Sequence, residues 1–415
     1  IFHGATAGGM PMRHVIDAVR PGLPALRGVH SFDGDVPALL STPVPAEPLP
    51  DVDPGGLFMI QYTSGTTGLP KATLLSHDGV AATAARSYRR WGFGPGDRVC
   101  HGFPLFHVGG SGNSTPGAMI NGVATLPIHI FRAGEALDIL ESQRCAGFIG
   151  VPTMLTAMME EGSLPRRDLS ALRRIVVGGA PVPPAFLRRC QDAFGVELLN
   201  GYGQTESSGV SFSVRPGDAD DRKTRTSGLA LPGISAKVVG PDGVILPRGD
   251  TGELCLHGPG SMLGYGDPAA TAAAFDADGW LRTGDLATMD AEGYVAIVGR
   301  IKEMIIRGGE NLYPAEIEKY LSDHPDVAEA AVLGLPDPKY GEEVCAVIRP
   351  ARADHVDAET LRDWCRDRIS RWKVPRYIAF VPQFPTTPSG KVRKQELAER
   401  MRAHFLVSVD AEPGS

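Results

Sequence analysis

Between Tyr62 and Lys71 the chain reads Tyr-Thr-Ser-Gly-Thr-Thr-Gly-Leu-Pro-Lys. Thr63, Ser64, Thr66 and Thr67 supply hydroxyls, Gly65 and Gly68 let backbone N–H groups come close to an anion, and Lys71 adds a positive charge. This is chemistry suited to phosphate. It is not a Walker A loop, which needs Gly-x-x-x-x-Gly-Lys-Ser/Thr. Counted from Gly65, the second glycine would fall at Pro70, and Ala72 follows the lysine. A P-loop kinase or GTPase is therefore disfavoured. Taken singly, Asp285 reads as an exposed turn acid and Lys391 as a solvated surface charge.

These residues need elements to hold them. Leu57–Tyr62 is a short apolar run that fits a buried strand, and the Ala-rich stretch Asp78–Tyr88 fits a helix. Strand, polar glycine loop and helix would present backbone N–H groups to a phosphate. Gly147–Val151 and Arg174–Gly178 read as strands, Thr153–Glu161 and Pro184–Phe194 as helices, an alternation that implies parallel α/β layers. From Gly233 to Gly264 short strands with Pro-Asp-Gly turns suggest a small antiparallel sheet or barrel. Beyond Lys302 the pattern becomes a compact α+β unit. It has a helix at Pro314–His324, a strand at Val327–Leu335, a helix capped by Asp357 with a stripe of Leu361, Trp364, Cys365, Ile369 and Trp372, and a strand at Tyr377–Val381. The expected architecture is α/β: a large multi-layered domain over residues 1–301 and a small α+β domain over 302–402, with the Pro-rich Leu39–Gly56 as a surface connection.

At 415 residues the chain is long enough for two or three domains, and 42% hydrophobic with 21% charged residues is ordinary for a globular protein. The net charge of −7 argues against nucleic acid as a partner. The six cysteines form no CxxC pair, which argues against a zinc ribbon and suits a reducing, cytoplasmic compartment. The histidines show no metal-ligand spacing. No apolar run reaches the roughly 18 residues of a membrane span. The chain starts at Ile1 in what reads as the middle of a strand or loop, so part of the large domain is expected to be missing.

At the hydroxyl-and-glycine loop the sequence resembles the adenylate-forming superfamily of acyl-CoA synthetases, peptide-synthetase adenylation domains and beetle luciferases. Further motifs recur in order: Pro104–Gly110 with His107, Gly178-Gly179-Ala180-Pro181, Asn200–Glu206, Trp280–Asp285 followed by Gly299–Lys302, and Pro385–Lys391. The resemblance implies that ATP is held by Thr63, Ser64, Gly65, Thr66, Thr67, Gly68 and Lys71, with Gly178, Gly179 and Ala180 at the adenine and Asn200, Gly201, Tyr202, Gly203 and Gln204 beside it. Tyr202 would stack on the base, Thr205 would contact phosphate and Glu206 would ligate Mg²⁺. Asp285 would hold the ribose hydroxyls with Arg300 beside it, Lys302 would be the hinge, and Lys391 the catalytic lysine of the small domain. Gly308, Gly309 and Glu310 would line the pantetheine tunnel of coenzyme A. His107 either borders the acyl pocket or is a packed histidine.

The activity implied is an AMP-forming acid–thiol ligase acting on a fatty or other apolar carboxylic acid. The alternatives are an enzyme that loads an acyl carrier protein, and a non-catalytic relative; a luciferase-type oxygenase is the weakest reading. Two departures stand out. Ala72 occupies a position where the family usually has glycine. Arg307 stands where a small or polar residue is common, either to meet coenzyme A phosphates or as a plain surface charge.

Overall fold

The computed structural model describes residues 2–7, 10–32, 34–41, 48, 51–63, 70–179, 182–352, 356–386 and 392–406. The chain divides into two compact units, 1–52 and 53–415. In the first, Phe2–His3 pairs in parallel with His30–Ser31, Thr6–Ala7 pairs with Met10–Pro11, and the helices are Met12–Val19 and Asp35–Leu40.

The second unit is built on a seven-stranded sheet. Its order is Leu229–Ala230, Gly209–Ser213, Glu197–Gln204, Arg174–Gly178, Gly147–Gly150, Arg98–His101, Ala124–Pro127. The last five run parallel, and Gly209–Ser213 turns antiparallel. Successive strand residues face opposite ways, so a sheet covered on both sides needs continuous apolar runs. That is what these strands carry. Cys100, Phe148, Ile175, Val177 and Leu198 pack on one face with the helices Ala133–Ser142, Pro152–Glu160 and Pro184–Phe194. Val99, Ile149, Val176 and Leu199 pack on the other against Tyr88, Trp91 and Phe93. Each such fully buried side chain stabilises the fold by about 1.5–3 kcal/mol.

A four-stranded antiparallel sheet follows, Ser235–Val239, Gly252–His257, Leu281–Met289 and Val295–Arg300. It shares a core with the antiparallel hairpin Leu57–Thr63/Lys71–Ser76, whose outer partner is Gly264–Tyr265. The 3-10 turn Ile301–Glu303 leads on to a five-stranded sheet. There Val332, Val344, Ala346 and Ile348 face the helices Pro314–Ser322 and Ala358–Arg366. Leu333, Leu335, Cys345 and Val347 face the helix Lys394–Phe405. Asp357 caps its helix as the sequence predicts, accepting from the Thr360 N–H at 2.7 Å.

Two expectations need correction. The hydroxyl loop does not run from a strand into a helix: the strand Lys71–Ser76 intervenes, so the loop joins the two arms of a hairpin, and the helix His77–Arg90 is capped separately by Ser76. Leu57–Thr63 is not a buried strand either. It is the edge of its sheet, with Phe58, Ile60 and Tyr62 exposed on one face.

Candidate active site

The site lies at the carboxyl edge of the parallel strands, where α/β sheets commonly bind ligands. Glu197–Gln204 pairs in parallel with Arg174–Gly178 up to Gly201, then continues antiparallel to Gly209–Ser213. Asn200, Gly201, Tyr202, Gly203 and Gln204 therefore sit where the pairing changes partner. Asn200 is held by donating to the Lys223 and Thr226 carbonyls. Gly178 faces Gly201, and Gly179 has φ +80. Gly203 occupies a bulge without room for a side chain: a Cβ there would stand 1.7 Å from the Gly209 carbonyl oxygen.

The structure brings together three predicted residues from distant segments. The Tyr202 hydroxyl donates to Asp285 Oδ2 at 2.5 Å. Arg300 Nε donates to Asp285 Oδ1 at 2.9 Å, from the position directly opposite in the Leu281–Met289/Val295–Arg300 ladder. Asp285 is buried at 2% exposure, which overturns its reading as an exposed acid. Burial raises its pKa above the usual carboxylate value, against the opposing pull of Arg300 and Tyr202. Burial, with the Asp285 charge added, holds the Tyr202 phenol well above its ordinary value, so Tyr202 is a donor here. The Asp285 and Glu303 carboxylates outweigh desolvation and raise the Arg300 pKa, keeping it cationic. A carboxylate has about four acceptor positions; with two taken, Asp285 can still accept from further hydroxyls.

A second group adjoins it. Thr205–Ser207 form a 3-10 turn after Gln204, closed by reciprocal Gln204–Ser207 bonds. From this turn Glu206 Oε1 accepts the Tyr265 hydroxyl at 2.8 Å, and the Lys71 ammonium lies 4.9 Å from the centre of the Tyr265 ring. Among the described residues no three His, Cys, Asp or Glu gather to hold a metal. A magnesium ion at Glu206 would take most of its shell from water and substrate phosphates, the mode that ion favours. One carboxylate with a fixed oxygen fits that role. Ala72, the residue of the first departure, lies inside its strand opposite Tyr62 rather than in the loop.

Other predicted residues fall elsewhere. Thr63 ends the first arm of the hairpin, opposite Lys71. His107 is half-buried, stacked on Phe103 with ring centres 5.7 Å apart, and its Nδ1 accepts from the Gly109 N–H. Lys302 is exposed in the Ile301–Glu303 turn. Gly308 and Gly309, φ +61 and +87, form the tight turn between Ile305–Arg307 and Glu310–Leu312, a conformation that favours glycine at both positions. Glu310 is exposed beside them. Arg307 is no open charge at a tunnel mouth: it pairs with the buried Glu343 at 2.8 Å and donates to the Trp372 carbonyl. Ser64, Gly65, Thr66, Thr67, Gly68, Ala180 and Lys391 lie outside the described residues. Thr386 and Val392, which flank the segment of Lys391, bridge each other. They border a cavity of about 340 Å³ whose other wall includes Thr153, Thr156 and Glu160. Three residues past Lys391, Lys394 is clasped by Glu303 at 2.9 Å and Glu318 at 2.7 Å.

Sequence reasoning missed Tyr265, Glu303 and Lys394. Their partners are 59, 91 and 76 or more residues distant in the chain, and no local spacing marks them.

A family model described as AMP-binding enzyme matches residues 14–266, and one described as AMP-binding enzyme C-terminal domain matches 316–391. A putative acyl-CoA synthetase, YngI, of Bacillus subtilis is 38% identical over 389 residues, which is 92% of this chain and 71% of that protein. The mitochondrial medium-chain acyl-CoA ligase ACSF2 of Danio rerio is 40% identical over 347 residues, 82% of this chain and 57% of that one. The chain thus spans between about half and three quarters of these relatives' length. Among solved structures, ATP-bound MatB from Rhodopseudomonas palustris superposes with a TM-score of 0.87 at 31% identity, covering 95% of this chain and 78% of that one.

Proposed function

The chain belongs to the AMP-binding enzymes of the adenylate-forming superfamily, in their acyl-CoA synthetase and ligase branch, and from that premise we propose that the whole protein joins a fatty or other apolar carboxylic acid to coenzyme A through an acyl-adenylate. One observation carries the assignment of the site. Tyr202, Asp285 and Arg300 come from three separate segments and meet through two hydrogen bonds at a sheet's carboxyl edge. An aromatic face, a hydroxyl-accepting acid and a cation in one place match the needs of an adenosine phosphate.

In this reading the apolar face of Tyr202 stacks on adenine, and Gly178 and Gly179 leave room for the base. Asp285 accepts the ribose hydroxyls, while Arg300 holds Asp285 and meets ribose and phosphate. Thr205 donates to the α-phosphate, and the Thr63–Lys71 hairpin tip holds the leaving pyrophosphate. A substrate carboxylate oxygen attacks the α-phosphorus, the bond from that phosphorus to the bridging oxygen breaks, and pyrophosphate departs with the electron pair. Both reactants are anionic. Lys391 stabilises the charge that develops between them, and Glu206 holds the Mg²⁺, which supplies further neutralising charge when bound. The coenzyme A thiol then loses its proton to water, its sulfur attacks the acyl carbon, the bond from that carbon to the phosphate oxygen breaks, and AMP leaves with the electron pair.

In this reading a small part over 302–402 turns about Lys302 against a large part over 1–301, taking Lys391 away and bringing the Gly308–Gly309 turn in. The 3-10 turn at Ile301–Glu303 and the separate sheet beyond it support that division. The named activity of a relative, medium-chain acyl-CoA ligase, favours an apolar acid. His107, near the site of that acid, borders the acyl pocket. Among the described residues no helix is long and apolar enough to cross a membrane, and the protein is proposed to work in the cytoplasm.

The test is carboxylate-dependent ATP–pyrophosphate exchange by the whole protein across acids of graded length and aromaticity. Coenzyme A or a pantetheinylated carrier protein is added afterwards. Exchange with medium-chain acids and thioester formed on coenzyme A is the expected result. Exchange with none of the acids would overturn the proposal, and transfer only to the carrier would replace its second half.

A further inference from the structure

Tyr265 is joined to the candidate site from several directions at once. Its hydroxyl donates to Glu206 Oε1 at 2.8 Å, and the backbone N–H of Met262 donates to the Glu206 carbonyl at 2.8 Å. The short segment 262–265 therefore grips both the main chain and the side chain of Glu206. The same segment is fixed to the strand that leaves the hydroxyl-and-glycine loop. Tyr265 pairs with Thr73, Leu263 N–H donates to the Leu74 carbonyl, and Gly266 N–H donates to the Ala72 carbonyl. The Thr271 hydroxyl accepts the Tyr265 N–H at 2.8 Å and so sets the strand's outer edge. Over the ring of Tyr265 lies the ammonium group of Lys71, 4.9 Å from its centre, within cation–π range.

Chemistry gives this arrangement a purpose. A carboxylate that ligates Mg²⁺ through one oxygen gains from having the other fixed, because rotation about its terminal bond otherwise spreads the ligand over many orientations. Tyr265 is half-buried, and its hydroxyl is the donor to Glu206 Oε1. Among the described residues nothing else bonds to the Glu206 side chain. Its second oxygen is left for a ligand.

We propose that Tyr265 is a positioning residue that orients Glu206 for Mg²⁺ with its hydroxyl and seats Lys71 at the phosphates with its ring. The proposal rests on the reading of Glu206 as the magnesium ligand. The two functions separate chemically: Tyr265→Phe removes the hydroxyl and keeps the ring, while Tyr265→Leu removes both.

The measurement is calorimetric binding of ATP to the whole protein, without divalent cation and across a Mg²⁺ series, with a thermal midpoint for each variant. Tyr265→Phe is expected to raise the Mg²⁺ concentration needed for half of the metal-dependent tightening by about tenfold, with metal-free ATP affinity unchanged. Tyr265→Leu should show the same shift and lose about threefold in metal-free affinity as well. Glu206→Gln should abolish the metal-dependent tightening, and adding Tyr265→Phe to it should change nothing further. If Glu206→Gln has that effect and Tyr265→Phe leaves the Mg²⁺ series unmoved, the role of Tyr265 is overturned while Glu206 keeps its own. If Glu206→Gln leaves the series unmoved, the underlying reading fails and takes this one with it. Should Tyr265→Phe not fold, Thr271→Val loosens the same strand. A Mg²⁺ shift of about threefold there supports the proposal, and an unmoved series overturns it.

Discussion

Two arginine–carboxylate pairs flank the Ile301–Glu303 turn, and they are built for opposite ends. Before the turn, Arg300 meets Asp285 at 2.9 Å; after it, Arg307 meets Glu343 at 2.8 Å. Both carboxylates are buried. The difference is in the arginines: the Arg300 side chain is 54% exposed, that of Arg307 only 14%. Arg307 also donates to the Trp372 carbonyl and lies against the rings of Tyr340 and Trp372. Its guanidinium is enclosed by the protein itself, with Nη1 and Nη2 both donating to protein oxygens. Arg300 keeps a face to solvent, and its partner Asp285 also takes a bond from Tyr202. A closed pair anchors a fold, whereas an open one can receive a ligand. Sequence alone offers two arginines seven positions apart and no way to tell which is which.

The comparison can be broken most directly at the closed pair. Glu343→Ala leaves Arg307 buried without its counter-charge, and unfolding titrations should show a loss of about 3–5 kcal/mol. Pyrophosphate exchange per folded molecule should stay near wild type. A large fall in exchange with intact stability would make Arg307–Glu343 part of the site. Next in size is Lys391→Ala, which tests whether the two sides of the turn serve separate half-reactions. Adenylation should fall by about 10²–10³, while thioester formation from supplied acyl-adenylate is spared. Survival of both half-reactions would remove Lys391 from its proposed role.

A buried group with no counter-charge sharpens the contrast. His101 is fully buried at the end of its parallel strand, and desolvation lowers its pKa from 6.5 to about 4. The folded protein refuses a proton that the unfolded chain accepts, so this stability is present above pH 6.5 and is lost as pH falls toward 4. The loss should be on the order of 3 kcal/mol. In His101→Gln the stability–pH curve should be flatter by that amount in this window, read from urea midpoints. An unchanged curve would mean that the ring is charged or hydrated when folded. The smallest effect is expected at the open pair. Asp285→Asn keeps one acceptor and one contact to Tyr202, and ATP binding should weaken about tenfold with little change in unfolding free energy. A stability loss matching that of Glu343→Ala would erase the distinction between the two pairs.

What could be read from sequence was local. Arg174–Gly178 and Pro184–Phe194 were legible because their apolar residues keep one period, and the cap at Asp357 because its chemistry lies within three residues of its partner. The strand Lys71–Ser76 was not legible, since its register is set by the opposite arm of the hairpin and by Gly264–Tyr265, nearly 200 residues on. Asp285 looked exposed because the residues that cover it, Tyr202 and Arg300, are brought in by the fold. Arg307 remained ambiguous for the same reason, Glu343 being 36 residues away. Motif resemblance named candidate residues; the contacts among Tyr202, Asp285 and Arg300 came only from the folded chain.

Gly203 gives the bulge beside Tyr202 an evolutionary signature. A methyl group there would overlap the Gly209 carbonyl oxygen, a backbone atom with no rotamer by which to retreat. In a saturation library screened for growth, every one of the nineteen alternatives at this codon should vanish together. At exposed Glu310 many should persist. A designer seeking to shift substrate range can vary the neighbours of this hinge of two strands, but must carry that codon through every round unaltered.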